Sequence, residues 1–395
     1  MKLDKRNWKK VKFGDVALQQ KGVVDINNTQ LNRYIAGEHM DSEDIHLKKW
    51  GTTGNGYLGP AFIRKFEIGD ILYGSRRTYL KKVAVADFDG ITANTTFVIK
   101  PNAKFIEPKL LPFLMLSDGF TKHSIENSKG SVNPYINWKD IADYEFLLPS
   151  KEEQVRLAEL LWAADEVVER GCILFNKLKM WKNVRMDILL NCKKSNTERW
   201  EKKKVADIGS VSTSGVDKKS KINETEVNLI NYMDVYTSST KKITKEIDFM
   251  KVTAKPIQLK KNQVYKGDIL FTPSSETKDD IGHSAVVYED LNNTLYSYHL
   301  VRLHFYENVN IDINFKKYMF NNLSVLAYFS KKAQGITRMT LSLDDFNNLE
   351  IFLPPIEKQE LISKELSDID SNIAHLHKQI KLSQQLKSNL INQIF

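Results

Sequence analysis

Two carboxylates and a lysine in the second half of the chain follow the spacing of magnesium-dependent nucleases. Asp268 precedes Glu276 and Lys278, and such a set can bind Mg²⁺ and activate water for phosphodiester hydrolysis. The matching loop of the first half has serine and arginine there. Asp70 and Asp268 are better interpreted as turn residues before a strand, so a nuclease site is not favoured.

Histidine and cysteine, the usual ligands of zinc, are not grouped as ligands of one metal. His283, His299 and His304 are not spaced for binding one ion from a single element. Cys172 and Cys192 match neither a zinc site nor a disulfide framework. The sequence therefore predicts no metal site, and it indicates a reducing cytosol.

A third pattern would suggest methyl transfer to an amino group. Residues 133–135 read Asn-Pro-Tyr, close to the Asn-Pro-Pro-Tyr motif of amino-methylases, but the second proline is missing. The matching residues 338–340 read Arg-Met-Thr, and no glycine-rich cofactor loop follows a strand. A Walker loop is also absent from the sequence. We therefore predict neither catalytic residues nor a bound cofactor in this chain.

The chain is basic, and its most polar loops follow two Gly-Asp-Ile-Leu motifs at residues 69–72 and 267–270. Lys and Arg number 58 against 49 Asp and Glu, a formal net charge of +9. A basic surface favours polyanions because phosphate neutralisation releases counterions. Arginine commonly reads guanine, asparagine reads adenine, and a carboxylate accepts from cytosine. Ordinary solvated turns are the alternative.

These loops and nearby polar residues supply the candidate DNA contacts. In the first half the candidates are Ser75, Arg76, Arg77, Tyr79, Lys81, Lys82, Asn94 and Thr95, with Lys129 and Asn133 as a weaker outer set. In the second half they are Ser274, Ser275, Glu276, Thr277, Lys278, His299, Lys331, Lys332 and Arg338. The two loops share a position and differ in chemistry, as expected for readers of different sequences.

The elements that position these loops occur twice. Trp8 matches Trp200, the two Gly-Asp-Ile-Leu motifs match, and Gly130 matches Gly335. Residues 145–154, which contain Leu-Pro and end in Glu-x-Gln, match residues 350–359 without a gap. A period of about 205 residues is too long for a solenoid and suits two domains. Each copy has short β-rich runs with a few helices, which predicts an α+β fold.

A long helix is predicted after each Leu-Pro, over residues 151–192 and 355–395. Apolar residues at a 4-3 spacing are typical of a coiled coil. The predicted interface comprises Leu157, Leu161, Ala164, Val168, Phe175, Leu178, Ile362, Leu366, Ile369, Ile373, Leu376 and Ile380. If the helices pair, connectivity makes them antiparallel, with a domain at each end. Packing is expected to loosen where Gly171, Lys182, Ser383 and Lys387 interrupt the seam. The alternative is that each helix packs only on its own domain.

The doubled order of these motifs resembles the specificity subunit of type I restriction-modification systems. The resemblance covers essentially the whole chain. It implies target recognition domains at residues 1–150 and 193–354, each reading half of an asymmetric bipartite site in double-stranded DNA. Spacer helices at 151–192 and 355–395 would separate them and dock modification subunits, two by the resemblance.

The resemblance assigns the chemistry to partner proteins. The modification subunits would bind S-adenosylmethionine and methylate adenine N6, and ATP- and Mg²⁺-dependent restriction subunits would cleave DNA. This chain would be a non-catalytic subunit. Because no signal peptide or membrane-length apolar run occurs in the sequence, a cytoplasmic location is expected. A coiled-coil scaffold that binds proteins instead of DNA is the alternative function.

Overall fold

The computed structural model describes residues 3–25, 29–54, 58–190 and 200–395. Cys192 lies outside the described residues. The chain divides into unit 1, Met1–Ile173 with Lys378–Phe395, and unit 2, Leu174–His377. Each unit therefore contains a recognition-type globular segment together with parts of both long helices.

Unit 1 is an α+β assembly. Its strands are β1 (Lys9–Lys12), β2 (Ala17–Gln20), β3 (Arg33–Ile35), β4 (Gly51–Thr52), β5 (Phe62–Phe66), β6 (Ile71–Gly74), β7 (Val83–Val85), β8 (Gly90–Ala93), β9 (Thr96–Pro101) and β10 (Glu145–Leu148). Its α-helices are α1 (Phe13–Val16), α2 (Leu111–Leu116), α3 (Asp118–Glu126), α4 (Trp138–Ala142) and the long α5 (Lys151–Leu190), which continues into unit 2. Short 3-10 turns occupy Gly37–His39, Thr78–Leu80 and Pro108–Leu110.

Three sheets organise unit 1. One has the strand order β2-β9-β6-β7, a second has the order β4-β3-β8-β5, and β1 pairs with β10. The main core packs Phe13, Tyr73, Phe113 and Phe120 between the first sheet and the helices. Burial of such aromatic side chains gives much of the stabilisation of a small core.

Unit 2 repeats this plan with a different sheet arrangement. Its strands are β11 (Glu201–Lys204), β12 (Gly209–Thr213), β13 (Thr225–Ile230), β14 (Lys242–Ile243), β15 (Met250–Ala254), β16 (Ile269–Phe271), β17 (Ser274–Ser275), β18 (Ser284–Val287), β19 (Thr294–Tyr296), β20 (Val301–Phe305), β21 (Met339–Thr340) and β22 (Glu350–Leu353). Its helices are α6 (Val205–Ile208), α7 (Tyr232–Tyr236), α8 (Pro256–Asn262), α9 (Ile313–Met319), α10 (Leu323–Lys332), α11 (Leu343–Asn347) and the long α12 (Ile356–Ile394), which continues into unit 1.

The sheets of unit 2 have the orders β12-β20-β16-β18-β14 and β15-β13-β19, with the pairs β11-β22 and β17-β21. The β11-β22 pair corresponds to β1-β10 of unit 1, and both are antiparallel. Lys10–Glu145 and Lys202–Glu350 ion pairs cross the two ribbons at 2.5 and 2.7 Å. The duplicated sequence ends therefore form duplicated structure: each domain's first strand pairs with its last, just before a long helix.

The Gly-Asp-Ile-Leu motifs form turns into central strands, as the sequence predicts. Gly69 and Gly267 have φ of 88° and 91°, a conformation that glycine adopts without a steric cost. Asp70 Oδ2 accepts the Glu67 N–H at 2.8 Å, and Asp268 Oδ2 accepts the Tyr265 N–H at 3.0 Å. Both aspartates are buried in these turns, which accounts for their place in the motif without a metal.

The predicted heptad residues all lie at buried or half-buried positions of the long helices. The buried ones are Leu157, Leu161, Val168, Ile362, Leu366, Ile369 and Ile380, and the half-buried ones are Ala164, Phe175, Leu178, Ile373 and Leu376. Leu157 and Leu161 share the core of unit 1 with Phe113, and Ile391 of α12 joins the same core. The start of α5 therefore packs on its own domain as well as near α12.

The expected loosening of the seam at Lys387 is wrong. Lys387 is only 7% exposed, and its ammonium lies 3.0 Å from Asp165 Oδ1. In unit 2, Lys182 lies 2.5 Å from Asp370 Oδ1. These lysines interrupt the apolar pattern because each has a carboxylate partner on the other helix. None of the described helices is both long and apolar enough to cross a membrane.

Candidate nucleic-acid interface

In unit 1 the loop after β6 pairs with a second loop that is distant in sequence. The Arg77 N–H donates to Pro134 O at 2.7 Å, and the Ile136 N–H donates to Ser75 O at 2.9 Å. Arg76 and Tyr135 form an antiparallel bridge between these bonds. The candidate arginines and the Asn-Pro-Tyr run thus belong to one surface, the unit 1 loop surface, comprising residues 75–79 and 129–136.

The backbone of this surface is held in a costly conformation. Arg77 and Lys81 have φ of 50° and 47°, and left-handed conformations cost non-glycine residues about 1–2 kcal/mol each. Thr78, between them, is buried and begins the 3-10 turn Thr78–Leu80. Strained backbone of this kind clusters at functional sites. Its effect here is to leave the side chains on either side of Thr78 directed to solvent.

Some of the predicted contact residues face solvent, whereas others bind the protein itself. Arg76, Arg77 and Asn94 are exposed, and Tyr79 is 53% exposed. Neither Arg76 nor Arg77 forms an ion pair with a described residue. Thr95 is half-buried, and its carbonyl accepts the hydroxyl of Ser75 at 2.6 Å. Ser75 itself is 6% exposed, so it supports the loop from below.

Two predicted lysines are engaged by neighbouring groups. The Lys81 ammonium lies 2.6 Å from Asp118 and 3.2 Å from Glu43. Burial by itself lowers the pKa of Lys81, but these two carboxylates outweigh it and the pKa is raised. Lys82 donates to Gly37 O. Both ammonium groups would have to leave these partners to reach a phosphate.

The second loop of the unit 1 surface is a short hairpin. Lys129 and Tyr135 exchange two backbone hydrogen bonds of 2.7 and 2.9 Å, and Gly130 has φ of 87°. Asn133 is exposed, and Lys129 lies 3.5 Å from Asp140. At the tip, Val132 is 90% exposed. This valine is not among the predicted residues, because a lone apolar residue in a loop carries no periodic signal.

Unit 2 builds the same surface from different residues. Ser274 pairs with Thr340 and Ser275 with Met339, and the Leu341 N–H donates to Pro273 O at 2.9 Å. The second loop again turns at a glycine, Gly335, with φ of 137°. We call residues 273–278 and 334–341 the unit 2 loop surface. It corresponds in position to the unit 1 loop surface.

The predicted contacts of unit 2 divide in the same manner. Glu276, Thr277, Lys278, Lys331, Lys332 and Arg338 are exposed, Ser274 and His299 are half-buried, and Ser275 is buried. The Ser275 hydroxyl accepts the Thr277 N–H at 3.3 Å. Burial, followed by the charges of Lys218 and Arg338, lowers the pKa of His299. At the tip Ile336 is 98% exposed, a second apolar residue outside the predicted set.

The residues of the rival chemistries have other partners. Asp268 is 1% exposed, and its Oδ1 lies 2.7 Å from His304 Nδ1. His283 lies 2.7 Å from Asp280. Burial raises the pKa of Asp268, and its hydrogen bonds only partly offset this effect. These contacts favour structural roles for Asp268 and both histidines.

Among the described residues, one group has ligand-type atoms close enough to share a metal ion. The atoms of Asp44, His46 and Glu169 lie within 4.8 Å of one another. However, the Lys48 ammonium lies between the carboxylates, 2.8 Å from Asp44 and 2.5 Å from Glu169. His46 Nε2 lies 2.7 Å from Asp165. Lys48 already supplies the positive charge, so we assign this group no metal.

Comparisons with known proteins agree with the duplicated architecture. The family described as type I restriction modification DNA specificity domain matches residues 5–170 and again residues 197–387. The Type I restriction enzyme EcoDI specificity subunit of Escherichia coli is 29% identical over 195 residues, which cover 46% of this chain and 40% of that protein. The match thus spans less than half of that relative's length.

Two solved structures share the fold over nearly their full lengths. A chain from a study of complex assembly and conformational transition of the type I R-M system has a TM-score of 0.67 at 17% identity, covering 100% of this chain and 98% of that chain. The type I restriction-modification system S subunit from M. genitalium has a TM-score of 0.52 at 13% identity, with the same coverage. Since the family description matches both halves and most of the sequence, this chain belongs to the type I restriction modification DNA specificity domain family.

Proposed function

We propose that this chain is the DNA-reading specificity subunit of a type I restriction-modification complex. The observation that carries the proposal is the repetition of one loop surface with different exposed chemistry. Unit 1 presents Arg76, Arg77 and Tyr79, and unit 2 presents Glu276 and Lys278. A scaffold shared by two readers of unlike half-sites accounts for this combination, and the target is therefore asymmetric and bipartite.

Exposed side chains of the loop surfaces make the proposed DNA contacts. Arginine can donate two hydrogen bonds to guanine, and Glu276 can accept from the cytosine amino group. Tyr79 and the lysines suit phosphates. Ser75 and Ser275 shape the loops instead of contacting bases. Lys331, Lys332 and Arg338 belong to the same proposed interface, with His299 beside it.

We further propose that α5 and α12 pair as an antiparallel coiled coil. Contacts within each unit support this. In unit 1 Asp165 meets Lys387 at 3.0 Å, and in unit 2 Arg185 meets Glu365 at 2.5 Å. The rings of Phe175 and His377 stack with centroids 5.3 Å apart.

The outer face of α5 suits a protein partner. Leu160, Val167, Leu174, Trp181 and Ile188 recur every seven residues and are 37%, 59%, 54%, 51% and 61% exposed. Apolar side chains that share one helix face favour association with another apolar surface. This face is the proposed docking site for modification subunits, two per chain by the family resemblance.

The proposed complex divides the chemistry among its subunits. This chain is non-catalytic; the modification subunits bind S-adenosylmethionine, and restriction subunits use ATP and Mg²⁺. A cytoplasmic location follows from the DNA substrate. The competing function, a scaffold that binds proteins only, predicts no steep loss of DNA affinity as salt rises, whereas a DNA reader predicts one.

The deciding experiment is co-expression of the full chain with its neighbouring modification subunit, followed by genome-wide mapping of methylated adenine. We expect a bipartite motif with unread bases between its halves. Replacing residues 1–150 by the corresponding domain of another family member should change one half only. A change in both halves, or methylation without any motif, would contradict the assignment.

A further inference from the structure

Two charged clusters occupy matching positions on the long helices. The Asp165 cluster consists of Asp165, Lys387 and His46 in unit 1. The Asp370 cluster consists of Asp370, Lys182, Lys317 and Tyr318 in unit 2. Asp165 and Asp370 are offset by 205 positions, and so are Lys182 and Lys387. The duplication has therefore kept a reciprocal arrangement, in which each helix gives an aspartate to one cluster and a lysine to the other.

The Asp165 cluster joins three segments of unit 1. Asp165 Oδ1 lies 3.0 Å from Lys387 Nζ on α12, and Asp165 Oδ2 lies 2.7 Å from His46 Nε2. Asp165 and Lys387 are 3% and 7% exposed. The ammonium of Lys387 also approaches Glu43 O at 3.4 Å. One carboxylate thus holds α12 and a loop of the recognition domain at a single point on α5.

The Asp370 cluster does the same in unit 2. Asp370 Oδ1 lies 2.5 Å from Lys182 Nζ on α5. Its Oδ2 accepts from Lys317 Nζ at 2.6 Å and from the Tyr318 hydroxyl at 2.8 Å. Lys317 and Tyr318 belong to α9 of the recognition domain. Here again the aspartate joins the partner helix and the domain.

These charges lie among apolar helix contacts, where a shifted register would leave them unpaired. In the observed register Asp165 faces Lys387 and Asp370 faces Lys182. A slip of one heptad would place Asp165 opposite Ile380 or Ile394. It would place Asp370 opposite Phe175 or Leu189. A charge buried against isoleucine, leucine or phenylalanine is strongly unfavourable, whereas the apolar heptads alone tolerate such a slip.

We propose that the Asp165 and Asp370 clusters select the single register of α5 against α12 and thereby set the number of unread base pairs between the two half-sites. The second part rests on the proposed function. Buried polar groups in a coiled coil specify register and orientation, at a cost in stability. A one-heptad slip translates a helix by about 10 Å, which corresponds to roughly three base pairs. The four helix residues of the clusters are positioning residues, which act on spacing and not on base identity.

The register is tested by disulfide cross-linking of the full chain in a Cys172→Ser, Cys192→Ser background. Phe175→Cys with His377→Cys reports the observed register. Two further pairs report slips of one heptad in either direction: Phe175→Cys with Gln384→Cys, and Val168→Cys with His377→Cys. The otherwise unaltered chain should cross-link only through the first pair.

The test variants replace the charges by apolar side chains: Asp165→Leu with Lys387→Met, and Asp370→Leu with Lys182→Met and Lys317→Met. Because apolar replacement of a buried ion pair is often neutral or stabilising, helix content should be kept. We expect slipped products to rise roughly tenfold relative to the in-register product. A single in-register product from well-folded variants would overturn the proposal.

Two controls complete the test. Asp165→Asn with Asp370→Asn retains the size of the side chains and gives a folded alternative if the apolar variants do not fold; we expect slipped products here too, and their absence would also count against the proposal. Arg185→Met with Glu365→Met removes a half-exposed ion pair between the same helices and should leave the register unchanged. In methylation mapping, slipped variants should methylate sites with altered spacing and unchanged half-sites. Cross-linking needs no DNA, so its result stands even if the proposed function fails.

Discussion

The side chain of Gln154 accepts the backbone N–H of Glu107 at 2.6 Å. Its amide also donates to Pro149 O at 2.9 Å, so one glutamine joins the first turn of α5, the preceding proline and a distant loop. Gln359 repeats this in unit 2: it accepts the Asp312 N–H at 2.9 Å and donates to Pro354 O at 2.9 Å. This geometry explains why glutamine follows each Leu-Pro at a fixed distance.

Replacement of this glutamine should destabilise its unit. Gln154→Ala leaves the Glu107 N–H and the Pro149 carbonyl without their partner, at a cost of about 1–3 kcal/mol. Gln359→Ala should cost a similar amount in unit 2. Urea unfolding measures both, with Gln379→Ala, at an exposed position of α12, as the control. Equal stabilities of all three variants would show that the glutamines do not fasten the helices.

The stability of unit 1 should depend on pH through His46. Its hydrogen bond to Asp165 raises the pKa of His46 above the ordinary value of 6.5, although burial opposes the shift; the carboxylates facing it are Asp165, Asp44 and Glu169, and the nearby cations are Lys48 and Lys387. Because the folded pKa is raised, protonated His46 contributes stability fully below pH 6.5, and this contribution is lost as the pH rises through the folded pKa.

The measurement is unfolding of the wild-type chain and His46→Gln from about pH 5 to about pH 9. The stability difference should be largest at the acidic end and should shrink with rising pH. In an Asp165→Asn background the same histidine substitution should lose most of its pH dependence. A difference that grows with pH would have the wrong sign and would refute the role given to this hydrogen bond.

The exposed arginines of unit 1 should account for part of its DNA affinity. Arg76→Ala with Arg77→Ala removes two cations that form no ion pair with a described residue. Binding to cognate duplex should weaken, and the slope of log affinity against log salt should fall by about one for each phosphate that the variant no longer neutralises. Arg156→Ala, on the exposed face of α5 beside Glu152, is the matched control, and an equal effect of that variant would argue against a local role of the two arginines.

The two hairpin glycines should respond unequally to alanine. At Gly335, with φ of 137°, a Cβ would lie 2.0 Å from Arg338 O, whereas at Gly130 the nearest atom is Asn133 O at 3.9 Å. Gly335→Ala must therefore displace the backbone of the unit 2 loop surface, and Gly130→Ala meets only the conformational cost of about 1 kcal/mol. Methylation mapping should show impaired reading of one half-site for Gly335→Ala, with a smaller effect on the other half-site for Gly130→Ala. The reverse order would contradict the structural explanation.

The sequence by itself determined the duplication and the long helices. Heptad spacing is a local property, so the helices could be placed at residues 151–192 and 355–395, and the structure has Lys151–Leu190 and Ile356–Ile394. The turn role of Asp70 also followed from sequence, because a Gly-Asp pair before an apolar run is sufficient to indicate it. Matching motifs in the same order identified the family without any tertiary information.

Only the tertiary structure decided which polar residues remain available for binding. Lys81 and Arg77 look alike in sequence, yet Lys81 is held by Asp118 and Glu43 while Arg77 faces solvent. Lys387 interrupts the heptad pattern of the sequence, but its partner Asp165 lies 222 positions away in the chain. The physical reason is that burial and ion pairing depend on segments brought together by folding, which local periodicity does not encode.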